Sequence, residues 1–537
     1  MSPDIGVLKQ MLDQKTEYLG IFLILVLGAY LSLGFFYGPS WINGSDNFVY
    51  TSEAHALAYN PHTAYFGDED NVKFLIYAGI IPFYLLLGYG PLSSALFGVT
   101  CFLGNVLTVY ILGKKLYSPT AGMVAAFLYA TLPLVIAESS NVGDDVPATF
   151  FVSLAILFAV LAMENGKRRN LYYALAGFLS AISYLAVPEG AIGALFVLLL
   201  FGVIAVMTRK KEAISGLFFG TLGSVCAFTV VILIGIVLQN PLAVIVAENA
   251  NLNAYSTVPG FLSYLGWMLP VQFVQASLLS GYLPIPTPQS FSLLLNYVNR
   301  YSLESLIFGY LGFVFFLSAI YLIASNERKS LVPLFWFSFV FAYLGLGSQS
   351  LTRYLPVLTV SRFLILLCPA IALVVGIALS KALEFSRKKR PVVRFAITFA
   401  IIYFLVLTLL NSYFSVMYIQ YSQYNAMVPL IETGNYINSL SPNATITGPV
   451  DIPWDVYTNY THAMVQVGYA RFETNCSVVQ LFQMQPGYYF VGMNNSTLLS
   501  CGLAPVFTPY PVSWLRNYTL FTYWGMNFSN FAIYRYQ

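Results

Sequence analysis

Apolar segments of 18 or more residues recur along most of this 537-residue chain. A helix of that length crosses a hydrocarbon core of about 30 Å, and a backbone in lipid must form its hydrogen bonds internally. The pattern therefore predicts an α-helical polytopic membrane protein with about eleven transmembrane helices. They are predicted at residues 18–38, 91–113, 119–137, 146–163, 171–187, 190–208, 213–238, 303–325, 331–348, 360–380 and 395–415.

Positive charges fall in clusters that separate these spans in pairs. The clusters are Lys9 with Lys15, Lys114 with Lys115, Lys167 to Arg169, Arg209 to Lys211, Arg328 with Lys329, and Arg387 to Arg390 with Arg394. Because short loops rich in Lys and Arg stay in the cytoplasm, the N-terminus is predicted to be cytoplasmic. The loops 39–90, 138–145, 239–302 and 349–359 then lie on the outer face. The stretch KFLIYAGIIPFYLLLGYG, which ends the first loop, is interpreted as a helix along the outer interface, with a further span as the alternative.

The chain changes character near residue 418. A transmembrane domain at 1–417 is predicted to be followed by an exoplasmic domain at 418–537, where stretches such as YYFVGM and NFAIYRY favour a small α/β or mostly β fold. N-glycosylation sequons lie only on the predicted outer side, at Asn43, Asn443, Asn459, Asn475, Asn494, Asn495, Asn517 and Asn527. Cys476 and Cys501 could form a disulfide in an oxidising compartment, or remain free thiols.

Ionisable residues gather in the predicted outer loops, although charged residues are only 9% of the chain. The first loop carries Asp46, Glu53, His55 and His62. The other candidates are Asp144 and Asp145 between the third and fourth spans, Glu189 between the fifth and sixth, and Arg353 and Arg362 before and at the start of the tenth. Ionisable groups near a bilayer core are costly and usually line a functional path. We therefore expect one outer cleft, with the arginines placed for a phosphate.

Each candidate also has a plainer structural explanation. The three aspartates could cap helices, Glu189 could open the sixth span after Pro188, and the two arginines could anchor the chain at the interface. His55 and His62 are expected to be ordinary loop residues. They are only weak candidates for binding a metal ion.

Four short motifs at these positions resemble the GT-C superfamily of membrane glycosyltransferases, and most of all its branch of protein O-mannosyltransferases and the bacterial aminoarabinose transferase. GSDNFVY places Asp46 in the first outer loop. DVPATFFVSLAIL begins with Asp145, YLAVPEG carries Glu189, and SRFLILLCPAIALVVG carries Arg362 at the start of a late span. The resemblance covers roughly residues 18–415.

The sequence departs from the family pattern at two positions. Asn47 stands where a second acid is often found, so the role of base rests on Asp46 alone. Val187 stands where a basic residue is common, which leaves the phosphate to Arg353 and Arg362.

The resemblance implies an inverting glycosyltransferase. Such an enzyme would move a sugar from a polyprenyl- or dolichyl-phosphate donor to a hydroxyl of a protein or glycolipid at the outer membrane face. Asp46 would be the general base, and Arg362 and Arg353 would bind the donor phosphate. The residues expected to shape the site are Asp145, Asp144, Glu189 and Glu53. This chemistry requires no cofactor, although a divalent cation is possible if the donor is a pyrophosphate.

Two other classes of function remain open from the sequence. The chain could be a non-catalytic glycosylated subunit of a cell-surface complex, or a transporter or lipid flippase, although a transporter would be expected to show paired halves with broken helices. An oligosaccharyltransferase is disfavoured because the tail lacks the WWDYG signature of that group. The dense outer sequons and low charge favour an archaeal plasma membrane, with a lumenal face of the endoplasmic reticulum as the alternative.

Overall fold

The structure is a computed structural model that describes residues 5–34, 46–59, 73–164, 167–187, 195–201, 211–237, 259–269, 271–283, 285–298, 307–325, 331–348, 354, 356–357, 359, 361–441, 444–449, 463–467, 485–493, 496–508 and 531–537. Within these ranges the chain is mainly helical, and a small sheet lies near the C-terminus.

The helices, in chain order, are α1 (Ile5–Leu33), α2 (Asp46–Tyr59), α3 (Phe74–Leu87), α4 (Pro91–Leu116), α5 (Pro119–Ala130), α6 (Pro133–Ser139), α7 (Asp145–Glu164), α8 (Arg169–Ile182), α9 (Lys211–Val237), α10 (Phe261–Met268), α11 (Val271–Leu279), α12 (Pro288–Val298), α13 (Tyr310–Ala324), α14 (Leu331–Leu346), α15 (Cys368–Arg387) and α16 (Pro391–Asn438). Short 3-10 helices lie at Ser183–Leu185, Ser361–Leu367 and Ser496–Cys501. Residues 195–201 are also helical.

The prediction of a polytopic helical membrane protein is confirmed. Among the described residues, five helical segments are long and apolar enough to cross a membrane, or six if one bent pair counts as a single span. The five are Gln14–Leu33, Pro91–Leu116, Asp145–Glu164, Ser361–Arg387 and Pro391–Gln420. Shorter apolar helices cover parts of three other predicted spans, at Ile214–Val230, Tyr310–Ala324 and Leu331–Leu346, and a fourth, Phe74–Leu87, lies in the predicted first outer loop. The predicted number of about eleven spans is not established by these residues.

The bundle is built around α15 and the 3-10 helix before it. In that span 94% of the most apolar stretch is buried inside the protein, against 22% in α1 and 17% in α16. Gly376 allows α15 to approach α5 closely, because a Cβ at that position would lie 2.8 Å from the Cβ of Ala125. The outer helices instead expose apolar side chains such as Phe22 and Phe399, as lipid-facing helices do.

The predicted third span, 119–137, is bent into two helices. Ser118 caps α5 by accepting a hydrogen bond from the backbone amide of Ala121 at 3.2 Å, and Pro119 occupies the first turn. The helix stops before Pro133, which cannot donate a backbone hydrogen bond and begins α6 instead. The two helices meet at an angle of 64°. The bend turns α6, all of it buried, away from the direction of α5.

The two ends of the bundle differ in charge. We call the end with Lys114, Lys115 and Arg387 the basic end; there Lys115 pairs with Glu164 at 2.9 Å. We call the end with the α6–α7 loop, residues 140–144, the acidic end. Helix α3 lies at the acidic end and is 14 residues long, or about 21 Å at 1.5 Å per residue. It is therefore shorter than a hydrocarbon core, and its placement along the outer interface stays a prediction.

Helix α16 continues without a break through the predicted domain boundary at 417/418. Its 48 residues span about 70 Å, more than twice the thickness of a hydrocarbon core. Its C-terminal part packs on a five-stranded sheet through Tyr436, whose ring stacks on Phe507 at 4.6 Å. The strands are β1 (Thr445–Pro449), β2 (Ala463–Val467), β3 (Tyr489–Met493), β4 (Leu503–Phe507) and β5 (Phe531–Tyr536), in the order β2-β1-β3-β5-β4. Strand β1 is parallel to β2 and β3, whereas β5 is antiparallel to β3 and β4.

Candidate active site

The α6–α7 loop brings polar groups into the interior at the acidic end. Every residue from Glu138 to Asp145 is buried. Val142 has a φ of 56°, a backbone conformation that a β-branched residue rarely adopts. Backbone strain of this kind persists only where the surrounding structure enforces it, and it clusters at functional sites.

Asp144 in this loop binds a lysine and a tyrosine from the first loop region. Its Oδ2 lies 3.1 Å from Nζ of Lys73, which precedes α3, and accepts a hydrogen bond from the Tyr50 hydroxyl of α2 at 3.1 Å. Lys73 also donates to the Tyr50 hydroxyl. The other carboxylate oxygen, Oδ1, is buried and accepts no hydrogen bond from any residue that the structure describes. Lys73 and Tyr50 thus hold the Oδ2 atom in place, whereas Oδ1 can accept a hydrogen bond from another donor.

Asp145, the next residue, pairs with a cation from a distant segment. Its Oδ2 lies 3.6 Å from Nε of Arg362, in the 3-10 helix that leads into α15. The carboxylate is 1% exposed and the arginine side chain 20% exposed. Two adjacent acids therefore hold two different cations, one from the first loop region and one from a late helix.

The charges around Asp144 favour its ionised form. Burial raises the pKa of this carboxyl, but the positive charges of Lys73 and Arg362 and the hydrogen bond from Lys73 outweigh burial and lower the pKa below its ordinary value. Asp144 is therefore a carboxylate at neutral pH, and it serves to hold cations rather than to supply a proton.

One apolar cluster joins three of the motifs singled out in the sequence. Tyr50 of GSDNFVY, Ala148 of DVPATFFVSLAIL and Val187 of YLAVPEG all belong to it, together with Val142 of the α6–α7 loop and Tyr77 of α3. Val187 belongs to the YLAVPEG motif, and it fills this cluster where the family often has a basic residue. The first loop, the acid pair and the third motif thus converge at the acidic end, as the sequence predicts.

The residues Glu53 and His55 lie nearby on α2. Glu53 is buried at 7% exposure. The His55 ring packs against the rings of Tyr59 and Tyr89, with centroids 4.9 and 4.5 Å away. Burial lowers the pKa of His55 to about 4, so its imidazole is neutral at physiological pH. His55 therefore lies between tyrosine rings as a neutral side chain that contributes to packing.

Asp46 is the first residue of α2, one turn before Tyr50, and the placement of its side chain is outside what the structure describes. Several other predicted site residues also lie outside the described residues: Glu189, Arg353 and His62, the sequon residues Asn43, Asn443, Asn459, Asn475, Asn494, Asn495, Asn517 and Asn527, and Cys476. Their assigned roles stay predictions. Cys501 is disulfide-bonded, whereas Cys101, Cys226 and Cys368 are free thiols.

The part of the chain that the structure describes contains no group of three or more His, Cys, Asp or Glu residues that could hold a metal ion. Asp144 and Asp145 instead face Lys73 and Arg362, so their charges are balanced by the protein's own cations.

Three residues of this site were not identified from the sequence. Lys73 follows the acidic run Asp68 to Asp70, so it looks like part of a solvated surface. Tyr50 lies among 40 tyrosines, and Glu138 precedes the acid pair in the stretch ESSNVGDDVP. Lys73 could have been identified from its position, because it is a single cation directly before the apolar stretch that is predicted to lie at the outer interface.

Two sequence comparisons match part of the chain. Residues 76–235 match a family model described as dolichyl-phosphate-mannose-protein mannosyltransferase. The chain is also 25% identical over 174 residues to YkcB of Bacillus subtilis (strain 168), a protein provisionally named a mannosyltransferase. This match covers 31% of the chain and 24% of YkcB, so the chain spans about a quarter of that relative's length.

Solved structures share the fold over most of the chain. ArnT from Cupriavidus metallidurans in the apo state has a TM-score of 0.61 at 11% identity, over 98% of both chains. ArnT bound to undecaprenyl phosphate has a TM-score of 0.59 at 12% identity, over 97% of this chain and 98% of ArnT. The archaeal oligosaccharyltransferase AglB from Archaeoglobus fulgidus, in complex with an inhibitory peptide and a dolichol-phosphate, has a TM-score of 0.54 at 13% identity, over 90% of this chain and 70% of AglB.

At these identities the structural matches demonstrate a common fold, and the family model adds a match in sequence that includes the acid pair. These likenesses agree with the resemblance of the chain to GT-C membrane glycosyltransferases, and residues 76–235 are the part that matches the mannosyltransferase family model.

Proposed function

We propose that this protein transfers a sugar from a polyprenyl- or dolichyl-phosphate donor to a hydroxyl acceptor, on a protein or a glycolipid, at the acidic end of the bundle. The observation that carries the proposal is the double pairing of Asp144 with Lys73 and of Asp145 with Arg362. Four charged side chains from three separate segments meet in a largely buried place. Charges in such a setting are costly, so a functional role is the best explanation.

The cations suit the phosphate of the donor. Departure of the lipid phosphate places negative charge at the leaving oxygen, and Arg362 and Lys73 would stabilise it. Arg353 is a further candidate for this role. Asp144 and Asp145 would fix the two cations in place, since each lies within 3.6 Å of its partner. Two relatives by fold were solved with lipid phosphates, dolichol-phosphate in AglB and undecaprenyl phosphate in ArnT, which supports a donor of this class.

The acceptor needs a base. Asp46 would accept the proton of the acceptor hydroxyl as its oxygen forms a bond to the anomeric carbon and the bond from that carbon to the phosphate oxygen breaks. A single displacement of this kind inverts the anomeric centre. Asp46 is placed at the start of α2, one turn from the Tyr50 that binds Asp144. Glu189 and Glu53 would shape the surrounding pocket.

The acidic end would face the exterior or the lumen, because the basic end carries the clustered Lys and Arg residues that stay in the cytoplasm. The C-terminal sheet, reached by α16, would then lie over the site. An archaeal plasma membrane stays the expected location.

The direct test uses purified protein in lipid nanodiscs with a radiolabelled polyprenyl-phosphate sugar and candidate acceptors. We expect transfer by the wild-type protein and a loss of roughly 10²- to 10⁴-fold for Asp46→Asn, the range that a general base contributes. Donor binding should be retained in the variant, since the base acts on the acceptor. Full activity of Asp46→Asn would remove Asp46 from the mechanism. Wild-type protein that moves the labelled lipid between leaflets without releasing sugar would overturn the proposal in favour of a flippase.

A further inference from the structure

A second polar region lies on α16, away from the acid and cation pairs. Asn411, Ser412 and Ser415 form what we call the α16 stripe. They are 3%, 0% and 0% exposed, in the part of α16 that crosses the membrane. Polar side chains buried in that layer cost free energy unless a hydrogen-bond partner compensates for them.

Other buried hydroxyl groups, both on α16 and elsewhere in the bundle, find that partner in the backbone of their own helix. Thr408 donates to the carbonyl of Phe404 at 2.9 Å, and Ser153 donates to the carbonyl of Thr149 at 2.8 Å. This bond to the preceding turn is the usual solution for Ser and Thr in membrane helices.

The polar atoms of the α16 stripe do not form such hydrogen bonds to the preceding turn. The hydroxyls of Ser412 and Ser415 and the Oδ1 atom of Asn411 are buried, and none has a hydrogen-bond partner among the residues that the structure describes. Since buried polar groups in native proteins are nearly always satisfied, these atoms are available to a bound molecule.

Aromatic rings flank the stripe. Phe414 of α16 stacks on Phe291 of α12 at 5.4 Å and lies 6.5 Å from the ring of Tyr282, which is fully buried. The Tyr282 hydroxyl also has no hydrogen-bond partner within the described part of the chain. We call Phe291, Phe414 and Tyr282 the aromatic cluster. Apolar and aromatic walls with a few convergent hydroxyl and amide groups are typical of small-ligand sites.

The α16 stripe leads towards the candidate active site. Gln420, one turn beyond Ser415, donates a hydrogen bond from Nε2 to the Ser140 hydroxyl at 2.9 Å, and Ile419 packs against Ala137. Ser140 is in the same loop as Asp144. Helix α16 is therefore joined by one hydrogen bond, just beyond the stripe, to the loop that holds Asp144.

The two regions differ in the ligand they suit. The acid and cation pairs suit a phosphate, whereas the groups of the α16 stripe and the aromatic cluster are all uncharged. Uncharged hydroxyl and amide groups recognise a neutral, hydroxyl-rich partner, and aromatic ring faces pack against its C–H groups.

We propose that the α16 stripe and the aromatic cluster bind a sugar group of the acceptor. That the bound sugar belongs to the acceptor rests on the proposed function. That the α16 stripe and the aromatic cluster bind a sugar does not. The acceptor would thus be a glycan or glycolipid whose terminal sugar is held by Asn411, Ser412 and Ser415.

The test labels single cysteines at the stripe. In protein whose exposed Cys226 is replaced by serine, Ser412→Cys and Ser415→Cys are treated in nanodiscs with the hydrophilic reagent 2-sulfonatoethyl methanethiosulfonate. We expect both to react, because a site that admits a sugar also admits water and the reagent. The matched control is Val416→Cys, which is equally buried on the same helix turn but outside the stripe; it should stay unreactive.

The ligand is tested by protection. Octyl glucoside below its micellar concentration should slow the labelling of Ser415→Cys several-fold, whereas octanol, which has the alkyl chain without the sugar, should not. The protection should disappear when Asn411→Leu is added. Unreactive stripe cysteines would mean that the stripe is dry and would overturn the proposal. Labelling without protection by the glucoside would mean that the stripe holds only water and would overturn it as well.

This experiment needs no turnover. Loss of the glycosyltransferase proposal, through inactive wild-type protein, leaves the labelling result unaffected. Conversely, an active enzyme with a dry stripe would retain the proposed function and lose only this site.

Discussion

Nε of Arg362, in the 3-10 helix before α15, lies 3.6 Å from Oδ2 of Asp145, the first residue of α7. The two residues come from different motifs, and each also has a plain explanation as a membrane anchor or a helix cap. Their pairing argues against both explanations, because a cap turns its carboxylate to its own backbone and an anchor extends to the interface. The pair instead fixes a guanidinium group inside the acidic end.

Arg362→Ala should lower transfer by about 10²- to 10³-fold, the loss typical of removing one preorganised electrostatic donor. Arg362→Lys should recover only part of the activity, since an ammonium lacks the planar fork that meets a phosphate. The control is Arg394→Ala at the exposed start of α16, which should transfer normally. The measurement is the initial rate with a labelled lipid-phosphate sugar, and equal rates for Arg362→Ala and Arg394→Ala would contradict the assignment.

Lys73→Met should destabilise the protein by about 3–5 kcal/mol, because it leaves the Asp144 carboxylate buried without its cation. Lys115→Met is the matched control: its pair with Glu164 is no longer than the buried one, at 2.9 Å against 3.1 Å, but is far more exposed, so its loss should cost at most about 1 kcal/mol. Thermal unfolding in one detergent compares the variants. The double variant Lys73→Met with Asp144→Leu should regain stability but not activity. Equal melting temperatures for the two single variants would show that the buried ion pair stabilises the protein no more than the exposed pair does.

Gly98→Ala should disturb the site from a distance. A Cβ at residue 98 of α4 would overlap the backbone carbonyl oxygen of Ser139, so α6 and the acid loop after it must move. Both stability and transfer are expected to fall. Gly266→Ala in α10 is the control, since a Cβ there meets nothing within 4 Å and Ala favours a helix by about 0.5–1 kcal/mol over Gly. Unfolding temperatures and transfer rates distinguish the two, and a harmless Gly98→Ala would show that α6 tolerates displacement.

Stability should decrease as the pH falls from 6.5 towards 4. Burial lowers the pKa of His55 from 6.5 to about 4, so the folded protein takes up the proton less readily than the unfolded chain. The stabilising effect of the neutral ring is therefore complete above pH 6.5 and is lost as the pH falls through this window. His55→Phe should keep the packing on Tyr59 and Tyr89 and reduce this pH dependence. Melting curves at pH 7.5, 6 and 4.5 provide the check; an unchanged slope in the variant would assign the effect to other groups.

The sequence could predict the convergence of Asp144, Asp145 and Arg362, because all three lie at span ends on one predicted side. Topology alone brings such ends together once the basic loops are assigned to the opposite side. The membrane fold followed from the length of the apolar runs, and the C-terminal sheet followed from alternating stretches such as YYFVGM.

The sequence does not predict in the same way which residues form the ion pairs of the site. Lys73 and Asp144 are joined only by tertiary packing of α2, α3 and the α6–α7 loop, and no periodicity marks such a contact. The bend before α6 had a visible cause in Pro133, but the surrounding run is apolar throughout and reads as one span. The strained backbone at Val142 has no sequence signal, since a β-branched residue is not expected at positive φ.

The unbroken course of α16 sets the orientation of the C-terminal sheet. Each residue of an α-helix advances the chain by 1.5 Å and turns it by about 100°. Inserting or deleting one residue between Gln420 and Tyr436 would therefore swing the whole sheet by more than a quarter of a revolution about the helix axis, whereas a flexible linker would absorb the change. The number of residues in this segment thus sets the rotation of the sheet about the axis of α16, relative to the part of that helix that lies in the bundle.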